Sequence, residues 1–160
     1  MAQLKVLLVE DSDSDAGLVT RALRRGGYDV TLHRVENALD MSAALDSGDW
    51  DLVISDYNLP EFDAPGALSV LQAAKRDLPF IVVSGNIGED SAVQLMKRGA
   101  HDYVLKDSLV RLPLVVQREL TEAETRRQLK QSESNLRLAA KVFESSREAI
   151  VITDAARNVV

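Results

Sequence analysis

From residue 5 to residue 106 the chain alternates short apolar runs with amphipathic stretches. "KVLLVE" (5–10), "YDVTLHRV" (28–35), "DLVIS" (51–55), "PFIVVS" (79–84) and "DYVLK" (102–106) have strand length and β-branched content. The stretches between them have helical spacing and recognisable ends. The first has a Ser12-x-x-Asp15 cap, Ala16, Val19 and Leu23 on one face, and a Gly26-Gly27 stop. The second has Asn37 as N-cap, Ala38, Met41 and Leu45 on one face, and Gly48 as terminator. A loop containing Pro60 and Pro65 precedes a third, with Leu68, Leu71 and Lys75 one turn apart. The fourth, "EDSAVQLMKRG", stops at Gly99.

Strands that are nearly all apolar, separated by helices, predict a parallel sheet covered on both faces. The expected fold class is therefore α/β, a doubly wound, flavodoxin-like five-stranded parallel sheet with an extended C-terminal helix. Right-handed crossovers give the strand order 2-1-3-4-5. Its switch point lies between strands 1 and 3, where ligands bind beyond the carboxyl ends.

Four of those ends carry chemistry: Glu10-Asp11 after strand 1, Asp56 after strand 3, Ser84 at strand 4 and Lys106 at strand 5. Edge strand 2 ends in Val35. Carboxylates crowded together raise each other's pKa unless a cation intervenes, and hard oxygen donors favour Mg²⁺. Ser84 and Lys106 suit the remaining oxygens of a phosphoryl group, and Asp56, the most central, is the candidate nucleophile.

Composition narrows the choice. The 160 residues are 46% hydrophobic, enough for one domain and an appendage. There is no cysteine, which excludes a disulfide framework, a thiolate metal site and a cysteine nucleophile. A formal charge of -6 argues against nucleic acid or anionic membrane as partner. No apolar run approaches the roughly 20 residues of a membrane span, and "MAQLKVLLVE" lacks the features of a signal peptide, so a cytoplasmic location is expected.

"LLVEDSDSD", "VISDYNLP", "VVSG" and "DYVLK", in this order and spacing, resemble the receiver domain of two-component response regulators. The resemblance spans about residues 4–122 and gives a receiver domain over residues 1–122. It implies that Asp56 accepts a phosphoryl group from the phosphohistidine of a sensor histidine kinase or a histidine phosphotransfer protein. It also implies that Asp11, Asp56 and the Asn58 backbone carbonyl ligate Mg²⁺ with help from Glu10. Ser84 and Lys106 would hold the phosphoryl group, Tyr103 would move with Ser84, and Asn58 and Asn86 would tune dephosphorylation. Such a domain is a signalling switch rather than an enzyme. Four departures stand out: Glu10 for the commoner Asp, Ser84 for Thr, Asp107 for the proline that would give a cis peptide after Lys106, and Ala64 for glycine.

Blander readings apply elsewhere. Asp13 and Asp15 read as a solvated acidic helix start. His33 and His101 read as surface residues, Trp50 as packing, and Tyr103 equally as packing or switch. Two rival functions are an aspartate-nucleophile phosphatase, which would want an acid at position 58, and a receiver-like module that is never phosphorylated, which would be expected to lack Asp56 or Lys106.

From Arg111 the chain becomes polar and helix-favouring, and Pro113 suits a first turn. Val116, Leu120 and Ala123 keep a four-three spacing, whereas Leu129, Leu136 and Phe143 keep a strict seven. Residues 123–146 thus read as a helical linker, either solvated or forming a homodimeric coiled coil. Residues 147–160 read as strand, turn, strand and resemble the opening of a PAS domain of the kind that precedes cyclic-di-GMP enzymes, which suggests that output.

Overall fold

A computed structural model describes the backbone of residues 1–157 and the side chains of residues 1–142. The strands are β1 (Ala2–Val9), β2 (Tyr28–Val35), β3 (Leu52–Asp56), β4 (Phe80–Ser84) and β5 (Asp102–Leu105). They alternate with the helices α1 (Asp13–Arg25), α2 (Ala38–Ser47), α3 (Ala64–Ala73) and α4 (Glu89–Arg98). A 3₁₀ segment, Lys106–Arg111, leads into α5 (Leu112–Arg157). All strand pairs are parallel and their order is β2-β1-β3-β4-β5, as the hydrophobic pattern required.

Strand alternation divides the core into two layers. Leu7, Val9, Val53, Phe80 and Val82 pack against Met41 and Leu45 of α2, Leu68 and Leu71 of α3 and Leu95 of α4. Their neighbours Val6, Leu8, Ile54, Ile81 and Val104 pack on the opposite face, against Val19 and Leu23 of α1 and Leu112 and Val116 of α5. Successive side chains of a strand point to opposite faces, so a fully buried strand must be apolar at every position. β3 and β4 are buried along their whole length; they are apolar as far as Ile54 and Val83, and the buried polar residues Ser55, Asp56 and Ser84 stand only at their carboxyl ends.

The helix ends follow the chemistry of the sequence. Ser12 caps α1 by accepting a hydrogen bond from the Asp15 backbone N–H, and Asn37 caps α2 by accepting from that of Asp40. Two details differ from expectation. Pro65 belongs to the first turn of α3 rather than to the preceding loop, because Asp63 is the N-cap and its Oδ1 accepts from the Gly66 N–H at 2.9 Å. Lys75 lies beyond the end of α3 in a left-handed conformation, φ 56°, as the chain turns back towards β4. Ala64, standing where the resemblance has glycine, opens α3 with its methyl group fully buried. No cis peptide bond occurs among the described residues, as Asp107 in place of proline implied.

The chain forms two compact units, Met1–Ala123 and Glu124–Val160. In the first, Pro113 stands in the opening turn of α5, and Val116 and Ala123 are buried. In the second, Leu129 and Leu136 are exposed, and Gln128 and Gln131 hydrogen-bond Glu124 and Asn135 along the helix surface. The strand-turn-strand expected over residues 147–160 is not what forms. Helix continues to Arg157, and only residues 158–160 lie outside the described backbone. Two short strands alone do not make a stable sheet, whereas a helix satisfies its own backbone groups. Among the described residues no helix is long and apolar enough to cross a membrane.

Candidate functional site

Strand register brings the chemistry to one edge of the sheet. Val9 pairs with Ser55, Asp56 with Val83, and Ser84 with Leu105. Glu10, Asp56, Ser84 and Lys106 are therefore placed at or one residue past the carboxyl ends of β1, β3, β4 and β5. Carboxylate oxygens of Glu10, Asp11 and Asp56 all lie within 4.8 Å of one another. Glu10 and Asp56 are buried and Asp11 is exposed, so the cluster has a dry floor and an open side.

Lys106 supplies the balancing charge. Its Nζ is 3.3 Å from Asp56 Oδ2 and 3.7 Å from Glu10 Oε2. Its shortest contact is Asp15 Oδ2, at 2.7 Å. Burial works against the ammonium, but Asp15, Glu10 and Asp56 outweigh it and raise its pKa. Glu10 shows the opposite imbalance. Burial and the neighbouring Asp56 carboxylate push it up to about 7, although its Oε1 accepts the Ser12 and Asp11 N–H groups at 3.1 Å and Lys106 draws it down. A carboxylate whose pKa is lifted by desolvation and a like charge is one whose ionised form a nearby cation would favour.

Ser84 supplies a second mark. Its Oγ is the one fully buried side-chain polar atom among the described residues without a hydrogen-bond partner. A hydroxyl in that condition loses free energy unless a ligand meets it. Three oxygen donors, an ammonium and an orphaned hydroxyl fit a divalent hard cation together with a tetrahedral oxyanion.

Other sequence candidates are placed as follows. Asn58 and Asn86 are exposed on the loops after β3 and β4. Tyr103 stands on β5, 36% exposed. His33 stacks on Trp50 with ring centroids 5.6 Å apart, and the Trp50 indole N–H donates to the Ala44 carbonyl. His101 Nδ1 accepts the Phe80 N–H at 2.9 Å, so this residue ties two strands rather than decorating the surface. Asp13 pairs with Arg34, away from the cluster. The reading of Asp15 as a merely solvated acid is corrected by its contact with Lys106. The sequence places it in the first turn of α1, which borders the strand ends, but does not separate it there from Asp13.

The family model of the response regulator receiver domain matches residues 6–117. The chain belongs to that family. Among curated relatives, the receiver domain is 31% identical over 127 residues to the DNA-binding transcriptional regulator NtrC of Rhizobium meliloti, covering 79% of this chain and 26% of the relative. It is 30% identical over 128 residues to the cell cycle transcriptional regulator CtrA of Caulobacter vibrioides, covering 76% and 54%. The chain thus spans about half, or less, of these relatives. The exclusion of nucleic acid suggested by charge finds no support in proteins so named, and neither does a cyclic-di-GMP output.

Among solved structures, a signal receiver domain of a LuxO repressor protein from Vibrio parahaemolyticus superposes with TM-score 0.69 at 27% identity, covering 79% of this chain and 97% of that one. The receiver domain of a sensor histidine kinase from Pseudomonas aeruginosa PAO1 gives TM-score 0.62 at 26% identity, covering 75% and 99%. It has a magnesium ion coordinated in its active site cleft.

The raised Glu10 pKa fixes a direction for stability. In metal-free protein the folded state holds this proton up to pH about 7, whereas the unfolded chain releases it near 4.5. Between those values the unfolded state binds fewer protons, so stability falls as pH rises, by at most about 1.4 kcal/mol per pH unit. Urea denaturation in chelator from pH 4.5 to 8 should show this decline levelling above 7, and Glu10→Gln should flatten it.

Proposed function

We propose that this receiver domain is a phosphoacceptor switch: Mg²⁺-dependent transfer from the phosphohistidine of a sensor histidine kinase, or of a histidine phosphotransfer protein, to Asp56. The observation that carries this reading is the buried Asp56 carboxylate between a cation-seeking acidic cluster and Lys106, beside the unpartnered Ser84 hydroxyl. Family membership and the magnesium-bound neighbour support it further.

In the transfer, an Asp56 oxygen attacks phosphorus, the phosphorus–nitrogen bond to histidine breaks, and imidazole leaves with the electron pair. Glu10, Asp11, Asp56 and the Asn58 carbonyl would hold Mg²⁺, which when bound neutralises charge on the phosphoryl oxygens. Lys106 turns its ammonium from the carboxylates to a phosphoryl oxygen, an interaction worth more in a partly dehydrated pocket. Ser84 donates its hydroxyl proton to another. Tyr103, on the strand next to Ser84, reports that change at the surface. Asn58 and Asn86 flank the mouth, where they limit access of hydrolytic water. No acid stands at position 58 to protonate a leaving group, so net phosphatase chemistry is disfavoured.

Incubation with a small phosphodonor and Mg²⁺ should add one phosphoryl group by intact mass. Asp56→Ala should abolish the gain, and chelator should suppress it by more than tenfold. An equal gain in Asp56→Ala would contradict the assignment.

The second unit extends the proposal. Leu129 and Leu136, exposed and seven residues apart, suit pairing with a second copy of this chain. Sedimentation at micromolar concentration should then show a dimer that Leu129→Glu dissociates; a strict monomer with and without a phosphoryl mimic would refute pairing.

A further inference from the structure

Lys106 faces the Asp56 carboxylate, yet its shortest bond points elsewhere. Asp15 Oδ2 lies 2.7 Å from Nζ, against 3.3 Å for Asp56 and 3.7 Å for Glu10. The contact is not accidental surface pairing, since the two side chains are only 30% and 21% exposed. It also joins residues far apart in sequence, one from the first turn of α1 and one at the end of β5.

Local structure fixes Asp15 in this place. The Ser12 cap accepts the Asp15 backbone N–H, which locks the first turn of α1. Glu10 is turned back on the Asp11 and Ser12 N–H groups and lies farthest from the ammonium. Asp13, two residues before, points away to Arg34. Asp15 is thus the acid of α1 that reaches the pocket, and it binds Lys106 without belonging to the Glu10, Asp11 and Asp56 cluster.

We propose that Asp15 is a positioning residue that holds the Lys106 ammonium on the α1 side of the pocket and competes for it with the phosphoryl group on Asp56. The inference rests on the phosphoacceptor reading above. An ammonium carries three N–H groups, and a strong bond to one carboxylate draws it from the others. Full engagement of a phosphoryl oxygen requires Lys106 to lengthen its bond to Asp15. The residue therefore weakens the phosphorylated state relative to the resting one.

The test uses the whole chain with beryllofluoride as the phosphoryl mimic at saturating Mg²⁺, in a double-mutant cycle with Lys106. Asp15→Asn keeps size and removes the charge. It should tighten beryllofluoride binding threefold to tenfold and lengthen the phosphoaspartate lifetime by a similar factor. In Lys106→Met the same Asp15→Asn change should alter binding by less than about twofold, which a general loss of negative charge or a weakened helix start would not produce. Asp15→Glu, which restores the charge, should return affinity towards the parent. Equal effects in both lysine backgrounds, or no effect with Lys106 present, would overturn the role of Asp15 while leaving the phosphoacceptor reading intact. Failure of the parent to bind the mimic would overturn both.

Discussion

One ammonium among carboxylates governs this molecule. Lys106 stands within 4 Å of Glu10, Asp15 and Asp56, three acids contributed by separate places in the chain. Without that charge, buried Glu10 and Asp56 would repel each other at the end of an apolar sheet, where desolvation magnifies every unpaired charge. The ammonium offsets this only in part, as the elevated pKa of Glu10 shows. The remaining deficit is what the proposed divalent cation would offset.

Such a cluster exists because the fold places strand ends side by side. Parallel pairing aligns β1, β3, β4 and β5 so that their carboxyl ends share one edge, and the two apolar layers hold that edge in register. A one-residue slip of β3 would send Asp56 to the opposite face. The apolar positions of "DLVISDYNLP" are thus what makes the aspartate useful: the sheet centre is dry enough to hold the carboxylate rigidly, and the charge emerges where the sheet stops.

The strand order and the residues at the strand ends were legible from periodicity and position because each depends on local pattern plus one topological rule. Asp15 was not legible as a pocket residue, since its sequence neighbours, Asp13 among them, carry the same polar character and only the rotation of the capped first turn separates the one facing Lys106 from the one facing Arg34. Pro65 was misplaced because Asp63 caps earlier than the prolines suggested. The strand-turn-strand expected over residues 147–160 does not form, since β-propensity reflects packing against neighbouring strands more than the residues themselves. Helix through Arg157 is the outcome.

The most direct test of the central claim is a crystal structure of the chain soaked with Mg²⁺ and beryllofluoride. The account predicts an ion held by Asp11 and Asp56, a tetrahedral group on Asp56, and Ser84 Oγ and Lys106 Nζ both within hydrogen-bond distance of its fluorines. A tetrahedral group absent from Asp56, or one present with Ser84 Oγ still unpartnered and Lys106 still on the carboxylates, would contradict it.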